Sequence, residues 1–320
     1  MRIQQLEYLE RIIEAGSINE AAKRLFLTQP SLSNAVKELE NEMGIQIFQR
    51  GSGGISLTAE GREFMTYSKQ ILDQVNLMNE RYKNGQQRKQ SFSVSAQHYA
   101  FVVHAFVELI KSVNANEYQF TLRETETQNI FNDLAQFKSE LGILYTNGFN
   151  QKIMQRLFKE NNLVFTPLFV AKPHIFVSRY NPLTSKSSVN LSDLEDYPYL
   201  SYEQGEVNSF YFSEEILSTL SHKKSIKVSD RATIFNLMVG LNGYTISSGI
   251  ISSKLNDDKI VAIPLNVDDD ITLGWLKHRQ VELSPLAERY LTMLKEHIKV
   301  CGFKIISWFF TLKNAERRSE

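Results

Sequence analysis

The sequence predicts a multidomain α plus α/β chain, in which a small helical head and a single long helix precede a two-lobed α/β body. Three observations predict it. Short amphipathic helices and a glycine-punctuated strand pair fill the first 58 residues, an apolar helical seam runs from Thr58 to about Arg88, and strands alternate with helices from Ser91 to Lys299. At 320 residues the chain has room for two or three separately cored units.

In the head, Leu6, Leu9 and Ile13 recur at helical spacing over Ile3 to Glu14, with Glu7, Glu10 and Glu14 turned away, until Gly16 stops the helix. Ser17 or Asn19 caps a second helix reaching Leu25, whose Ala21 and Ala22 let another helix cross closely. Phe26-Leu27 makes a turn, Thr28 is an N-cap, and Pro30 sits in the first turn of a third helix, where its missing N–H costs nothing. That helix runs to about Met43. Its buried line is Leu32, Val36, Leu39 and Met43, so Pro30, Ser33, Asn34, Lys37 and Asn41 face outward. Two helices across a tight turn, with a third before them, form the pattern that lays its second helix in the DNA major groove. Ile45 to Phe48 then alternates as a strand, Arg50 to Gly54 is a turn, and Ile55 to Leu57 returns, which adds a wing. The expectation is a winged helix-turn-helix over 1–58.

From Thr58, an N-cap, Phe64, Tyr67, Ile71, Val75, Met78 and Tyr82 recur every three or four residues. A helix to Arg88 would be about 45 Å long. One unbroken seam needs a cover, either the same chain or a second copy. No segment of matching length offers the first, which favours a linker and dimerisation helix over 59–90.

Beyond the polar stretch Gly85 to Gln90, strands are predicted at Ser91 to Ser95, Gln119 to Arg123 and Leu141 to Tyr145, with helices at Tyr99 to Ser112 and Gln128 to Phe137. A second lobe is expected from Phe165, with strands at Ile175 to Ser178, Tyr199 to Ser201, Ser225 to Val228 and Tyr244 to Ser247, and helices at Leu191 to Leu194, Ser209 to Leu220 and Arg231 to Val239. Ile260 to Pro264 leads back, and Pro285 to Lys299 closes with a helix. The two-lobed α/β unit is thus 91–299, with lobe I at 91–164 and 265–299 and lobe II at 165–264. Residues 300–320 form an additional tail, apolar from Val300 to Leu312 apart from Lys304, Ser307 and Thr311, and too short for the roughly 20 residues of a spanning helix.

Composition narrows the function. With 42% hydrophobic and 22% charged residues the chain reads as a globular protein, and 36 basic against 36 acidic residues mean that any nucleic-acid affinity comes from where the cations sit. The single cysteine, Cys301, excludes an intramolecular disulfide and multi-cysteine zinc sites, and reads as a small buried hydrophobe. No basic region followed by an apolar run opens the chain, so a cytoplasmic protein is expected.

The runs Ser17-Ile18-Asn19-Glu20-Ala21-Ala22-Lys23-Arg24-Leu25, Thr28-Gln29-Pro30-Ser31-Leu32-Ser33 and Lys37-Glu38-Leu39-Glu40, with Gly44, Phe48, Arg50 and Leu57-Thr58-Ala59-Glu60-Gly61, resemble the signature of the LysR-type transcriptional regulators. The remainder to about Lys299 is similar in length and alternation to that family's periplasmic-binding-protein-like effector domain, without an equally sharp motif. The resemblance implies a homodimer or homotetramer that binds double-stranded DNA under the control of a small effector, with RNA polymerase as a further candidate partner and no membrane. It implies DNA contact at Thr28, Gln29, Pro30, Ser31, Ser33, Asn34 and Lys37, and at Arg50 from the wing. Asparagine suits adenine, Lys and Arg suit phosphates, and hydroxyls fix register.

For the effector, a small polar or anionic metabolite, hydroxyls and amides at strand ends are the candidates. These are Ser95, Gln97 and His98 after the first strand, Thr125 and Thr127 after the second, Thr146 after the third, and Ser201, Gln204, Ser247 and Ser248 from the other lobe. Ser95 is favoured, because the resembled family commonly places a hydroxyl there. Helix capping is the plainer role for each. No phosphate loop follows a strand and the histidines, including His98, His104, His174 and His222, lack metal-ligand spacing, so no enzyme, cofactor or metal is expected. The rival reading is a solute-binding-like two-lobed protein without a DNA role.

Overall fold

A computed structural model describes residues 1–51, 54–83, 89–205, 209–251 and 259–306. The chain divides into two compact units, Met1–Arg88 and Lys89–Glu320.

The first unit holds α1 (Ile3–Ala15), α2 (Ile18–Arg24), α3 (Gln29–Met43), the hairpin β1 (Phe48–Gly51) and β2 (Gly54–Leu57), and α4 (Ala59–Lys83). Gly16, at φ 65°, ends α1 by returning its N–H to the Ile13 carbonyl, a left-handed cap that glycine adopts without strain. Thr28 caps α3 by accepting from the Ser31 N–H at 3.3 Å. Leu6, Leu9, Ile12, Leu32, Leu39 and Ile47 are fully buried together, and each such side chain contributes about 1.5–3 kcal/mol of apolar burial. Two positions differ from the expected pattern. Ile12 takes the core place on α1 and Ile13 is exposed, while Met43 lies at the rim where α3 ends in Gly44. The first wing strand also starts at Phe48 and not at Ile45. The Glu40 carboxylate accepts the N–H groups of Ile47 and Phe48 at 2.7 and 3.0 Å, which removes them from any ladder. Wing residues 52–53, linker residues 84–88 and tail residues 307–320 lie outside the described residues, as does the side chain of Arg50.

The second unit contains two five-stranded sheets. The first runs β4 (Tyr118–Glu124), β3 (Gln90–Ala96), β5 (Leu141–Thr146), β12 (Ile271–His278), β6 (Leu163–Ala171), with α5 (Ala100–Ser112), α6 (Thr127–Ala135), α7 (Gln151–Glu160) and α9 (Pro285–Val300) around it. The second runs β11 (Ile260–Pro264), β7 (His174–Ser178), β10 (Tyr244–Ser247), β8 (Tyr199–Tyr202), β9 (Ser225–Val228), with α8 (Arg231–Leu241). The chain passes between lobes after Ala171 and again after Pro264, so residues 165–171 belong to the first lobe and not to the second. There β6 pairs antiparallel with β12, an edge position that tolerates Pro167. Ile260–Pro264 remains in the second lobe, paired with β7.

The stretch read as a helix over Ser209 to Leu220 is a short 3-10 turn, Phe210–Phe212, followed by irregular chain. Phe212, Glu214, Glu215 and Ile216 are all buried, which no single helix face allows. Tyr145 Oη donates to the carbonyls of Ser213 and Glu215, and Thr127 Oγ1 donates to that of Phe212, so helical acceptors are taken by the other lobe. Leu191–Leu194 is likewise a 3-10 turn. Of the tail, Phe303 packs edge-on against Phe169 and the Ile306 N–H reaches the Leu168 carbonyl at 2.7 Å, which docks residues 301–306 on the first lobe.

Candidate functional site

The outward face of α3 offers Pro30, Asn34 and Lys37 exposed, with Gln29 and Ser33 half-buried beside them. It is the second of two helices joined by the turn at Phe26 and Leu27, and its opposite face is locked by Leu32, Val36 and Leu39 in the core. The side chains are therefore presented on a rigid support. Thr28 and Ser31 behave differently: their hydroxyls lie 2.7 Å apart and complete the helix cap, so both are already engaged at the start of α3. The hairpin β1 and β2 pairs Phe48 with Leu57 and Arg50 with Ile55, and Phe48, Ile55 and Leu57 pack it against the core of the head.

The second constellation lies between the lobes of the other unit. At the end of β3 the main-chain N–H of His98 and its Nδ1 lie 2.7 and 2.9 Å from the Glu214 carboxylate, and the His98 ring stacks on Tyr202 at 4.0 Å. Gln204 Nε2 donates to the same carboxylate at 3.3 Å, while its Oε1 accepts from the Thr127 N–H at 3.1 Å. Arg231, at the start of α8, pairs across the lobes with Glu124 at 3.3 Å. His98, Tyr202, Arg231, Phe235, Thr245 and Ser247 line what remains of the cleft, about 20 Å³, room for a single water.

Burial pulls the His98 imidazole down, but the charge and hydrogen bond of Glu214 more than offset it, so its pKa stands above the ordinary value. Burial raises Glu124 against the pull of Arg231, and burial reinforced by Glu214 holds the Glu215 carboxyl well above the carboxylate range. Glu215 Oε1 accepts from the Tyr202 N–H at 2.9 Å; Oε2 has no partner among the described residues.

Of the residues singled out from the sequence, His98 and Ser247 come to this cleft, and Gln204 touches its Glu214 wall. Gln97 and Thr127 lie behind it: Gln97 donates to Thr127 Oγ1 at 2.7 Å and accepts from Tyr99 Oη and the Tyr145 N–H, so its amide is committed to the scaffold. Ser95 does not serve the cleft. Its hydroxyl, fully buried, donates to Asp133 at 2.6 Å and lies 2.8 Å from the Ser139 hydroxyl, tying β3 to the end of α6. Thr146 lines a separate groove of about 780 Å³ with Asn147, Gln151 and Asp268. Thr125, Ser201 and Ser248 are not among the cleft-lining residues. Sequence reasoning missed Glu214, Glu215, Glu124 and Arg231. The one available signal was the acidic pair Glu214-Glu215, separated from the aromatic run Phe210-Tyr211-Phe212 by Ser213 alone. Among the described residues no group of three His, Cys, Asp or Glu side chains is placed to hold a metal ion.

A winged helix-turn-helix followed by a two-lobed domain with a polar cleft defines a class, the effector-responsive transcription regulators. Comparison with known proteins places the chain within it. Residues 3–62 match the model of bacterial regulatory helix-turn-helix proteins of the lysR family, and residues 100–299 match that of the LysR substrate binding domain. The chain belongs to the LysR family and is a DNA-binding transcriptional regulator with an effector-binding domain. The HTH-type transcriptional regulator AlsR of Bacillus subtilis (strain 168) is 23% identical over 312 residues, 94% of this chain and 96% of the relative. TdcA of Escherichia coli (strain K12) is 24% identical over 272 residues, 82% of each chain. The solved structure of a Corynebacterium glutamicum OxyR C206 mutant shares the fold, with a TM-score of 0.52 at 16% identity over 93% of each chain. Among the described residues no helix is long and apolar enough to cross a membrane.

Proposed function

We propose that this regulator reads operator DNA through Gln29, Pro30, Ser33, Asn34 and Lys37 of α3, with Thr28 and Ser31 setting the helix start and Arg50 of the wing as a further contact. It acts as a cytoplasmic homodimer or homotetramer and works by binding, without catalysis. The observation that carries the reading is the exposure of Asn34 and Lys37 on a helix whose other face is immobilised in the core. Lys37 supplies a phosphate contact, and Asn34 a base contact. The effector reading follows from the polar inter-lobe cleft: a small anionic metabolite enters beside His98, Gln204, Arg231 and Ser247 and changes the balance between two arrangements of the bound oligomer. It shifts that balance only by its difference in affinity for them, so a tenfold effect requires about 1.4 kcal/mol.

The test is a salt titration of binding to genomic fragments selected by the wild-type protein. Lys37→Ala should lower the salt slope by about one, and Asn34→Ala should change base preference within the half-site. If both variants bind as wild type does, α3 is not the recognition helix.

A further inference from the structure

The inter-lobe cleft is filled by the chain itself. The segment from Phe210 to Ile216 leaves the second lobe and buries Phe212 in a cluster with Ile130, Phe131 and Met154 of the first. Its carbonyls at Phe212, Ser213 and Glu215 accept from Thr127 and Tyr145 of that same lobe. Held in this way, Glu214 delivers its carboxylate to the main-chain N–H of His98 at 2.7 Å, to His98 Nδ1 at 2.9 Å and to Gln204 Nε2 at 3.3 Å. A main-chain N–H just ahead of a helix, an imidazole and a primary amide make a donor set for a small carboxylate. Simple closure of the lobes would not select these residues, because buried acids are costly where apolar side chains would serve. Glu214 and Glu215 are nevertheless only 7% and 2% exposed, and Glu215 Oε2 has no partner among the described residues.

We infer that Glu214 is a built-in ligand of the effector cleft: its carboxylate holds the place of the acid group of a small carboxylate effector, which binds only by displacing the Phe210-to-Ile216 segment. The inference rests on the cleft being the effector site. It assigns the external ligand a chemical class, a small carboxylate, and it gives the unliganded domain the closed arrangement that a ligand would otherwise impose.

Removing the side chain tests this directly in the full chain. Glu214→Ala vacates the carboxylate position, so its melting temperature should fall and then rise with added sodium acetate, against sodium chloride at equal ionic strength. Acetate should act on the variant at concentrations about tenfold or more below any effect on wild type, since only the variant leaves the charge-assisted hydrogen-bond donors of the cleft open to it. The DNase footprint on a selected genomic fragment should change in the variant and return toward wild type with acetate. A variant that responds to acetate no more than wild type does overturns the inference. Should Glu214→Ala not fold at any acetate concentration, the isosteric Glu214→Gln decides: histidine NMR should find His98 titrating lower than in wild type, and an unmoved His98 overturns the placement. The two readings fail separately. If no metabolite binds wild type while acetate restores Glu214→Ala, the external effector is lost and the internal ligand stands; if a metabolite binds with Glu214 in place and acetate restores nothing, the reverse holds.

Discussion

Gly61 of α4 lies directly against the main chain of Ile47: a Cβ at position 61 would run into the Ile47 carbonyl oxygen. The contact is with backbone, which cannot rotate aside as a side chain can. It is reinforced next door, where Thr58 accepts from the Gly61 N–H at 2.8 Å and returns its own N–H to Ile47 at 3.0 Å. The start of the long helix is thereby fixed to the entry of the wing. Gly61→Ala should destabilise the first unit by about 1–3 kcal/mol, as overpacking does, and more if the helix start must shift. Thermal unfolding followed by circular dichroism checks it, and an unchanged midpoint would show that the wing entry moves freely.

Ser95 is a structural residue, and its substitution distinguishes that role from ligand binding. Ser95→Ala, at a fully buried position, leaves Asp133 without the 2.6 Å hydrogen bond and the Ser139 hydroxyl with Arg123 Nη1, at 3.1 Å, in place of two contacts. A loss of about 1–3 kcal/mol in stability is expected, with ligand response unchanged wherever the protein is folded. Calorimetry of metabolite binding to Ser95→Ala, at a temperature well below its melting point, measures this. A weakened ligand in a stably folded variant would return Ser95 to the binding site.

How far the sequence could be read depended on whether local pattern and tertiary demand agreed. Ser225–Val228 and Tyr244–Ser247 are observed with the bounds expected for them, because β-branched or aromatic residues alternate between turn residues. Thr28, Pro30 and Gly44 punctuate α3 clearly, and the head was legible almost throughout. At β6, Pro167 breaks the strand pattern and only its edge position permits it; at β12, Gly274 reads as a breaker but is needed because the Phe165 ring and the Thr166 carbonyl leave no space for a Cβ. The cleft failed for a deeper reason. Phe210 to Ile216 has helical spacing, yet Thr127 and Tyr145 of the other lobe claim its carbonyls, and a partner 68 or more residues away leaves no trace in a local pattern.

The long helix presents two faces with different employment. Phe64, Met65 and Leu72 pack into the head, whereas Tyr67, Ile71, Met78 and Tyr82 remain exposed along a stripe at the spacing of one helical face. A stripe of this kind over a helix about 38 Å long suits a second copy of itself, packed about a two-fold axis. Introducing Ile71→Glu together with Val75→Glu places unpaired charge in that seam, which is strongly unfavourable once buried. Sedimentation should find a folded monomer, since Ile71 is already 38% exposed in the single chain. An intact dimer would move the interface to the effector units.

Stability should depend on pH through the cleft. The groups facing His98 are Glu214 and Glu124, with Arg231 and Asp230 at the start of α8 and the ring of Tyr202 stacked upon it. Its pKa is raised on folding, so the fold binds its proton more tightly than the unfolded chain, whose histidine titrates near about 6.5. The resulting stabilisation is fully present below about that value and is lost as pH rises through the folded pKa. Glu124 and Glu215 carry the same sign, because acids raised by burial favour the fold while protonated; their contributions begin to fade above about pH 4.3 and are lost through their raised values. The melting temperature of the effector unit within the full chain should therefore fall between about pH 6 and pH 8. His98→Gln keeps the main-chain N–H for Glu214 and removes the titrating ring, so it should flatten that part of the profile. If the variant loses as much stability as wild type over this interval, the slope belongs to Glu124 and Glu215, and the charge on His98 does not hold the cleft shut.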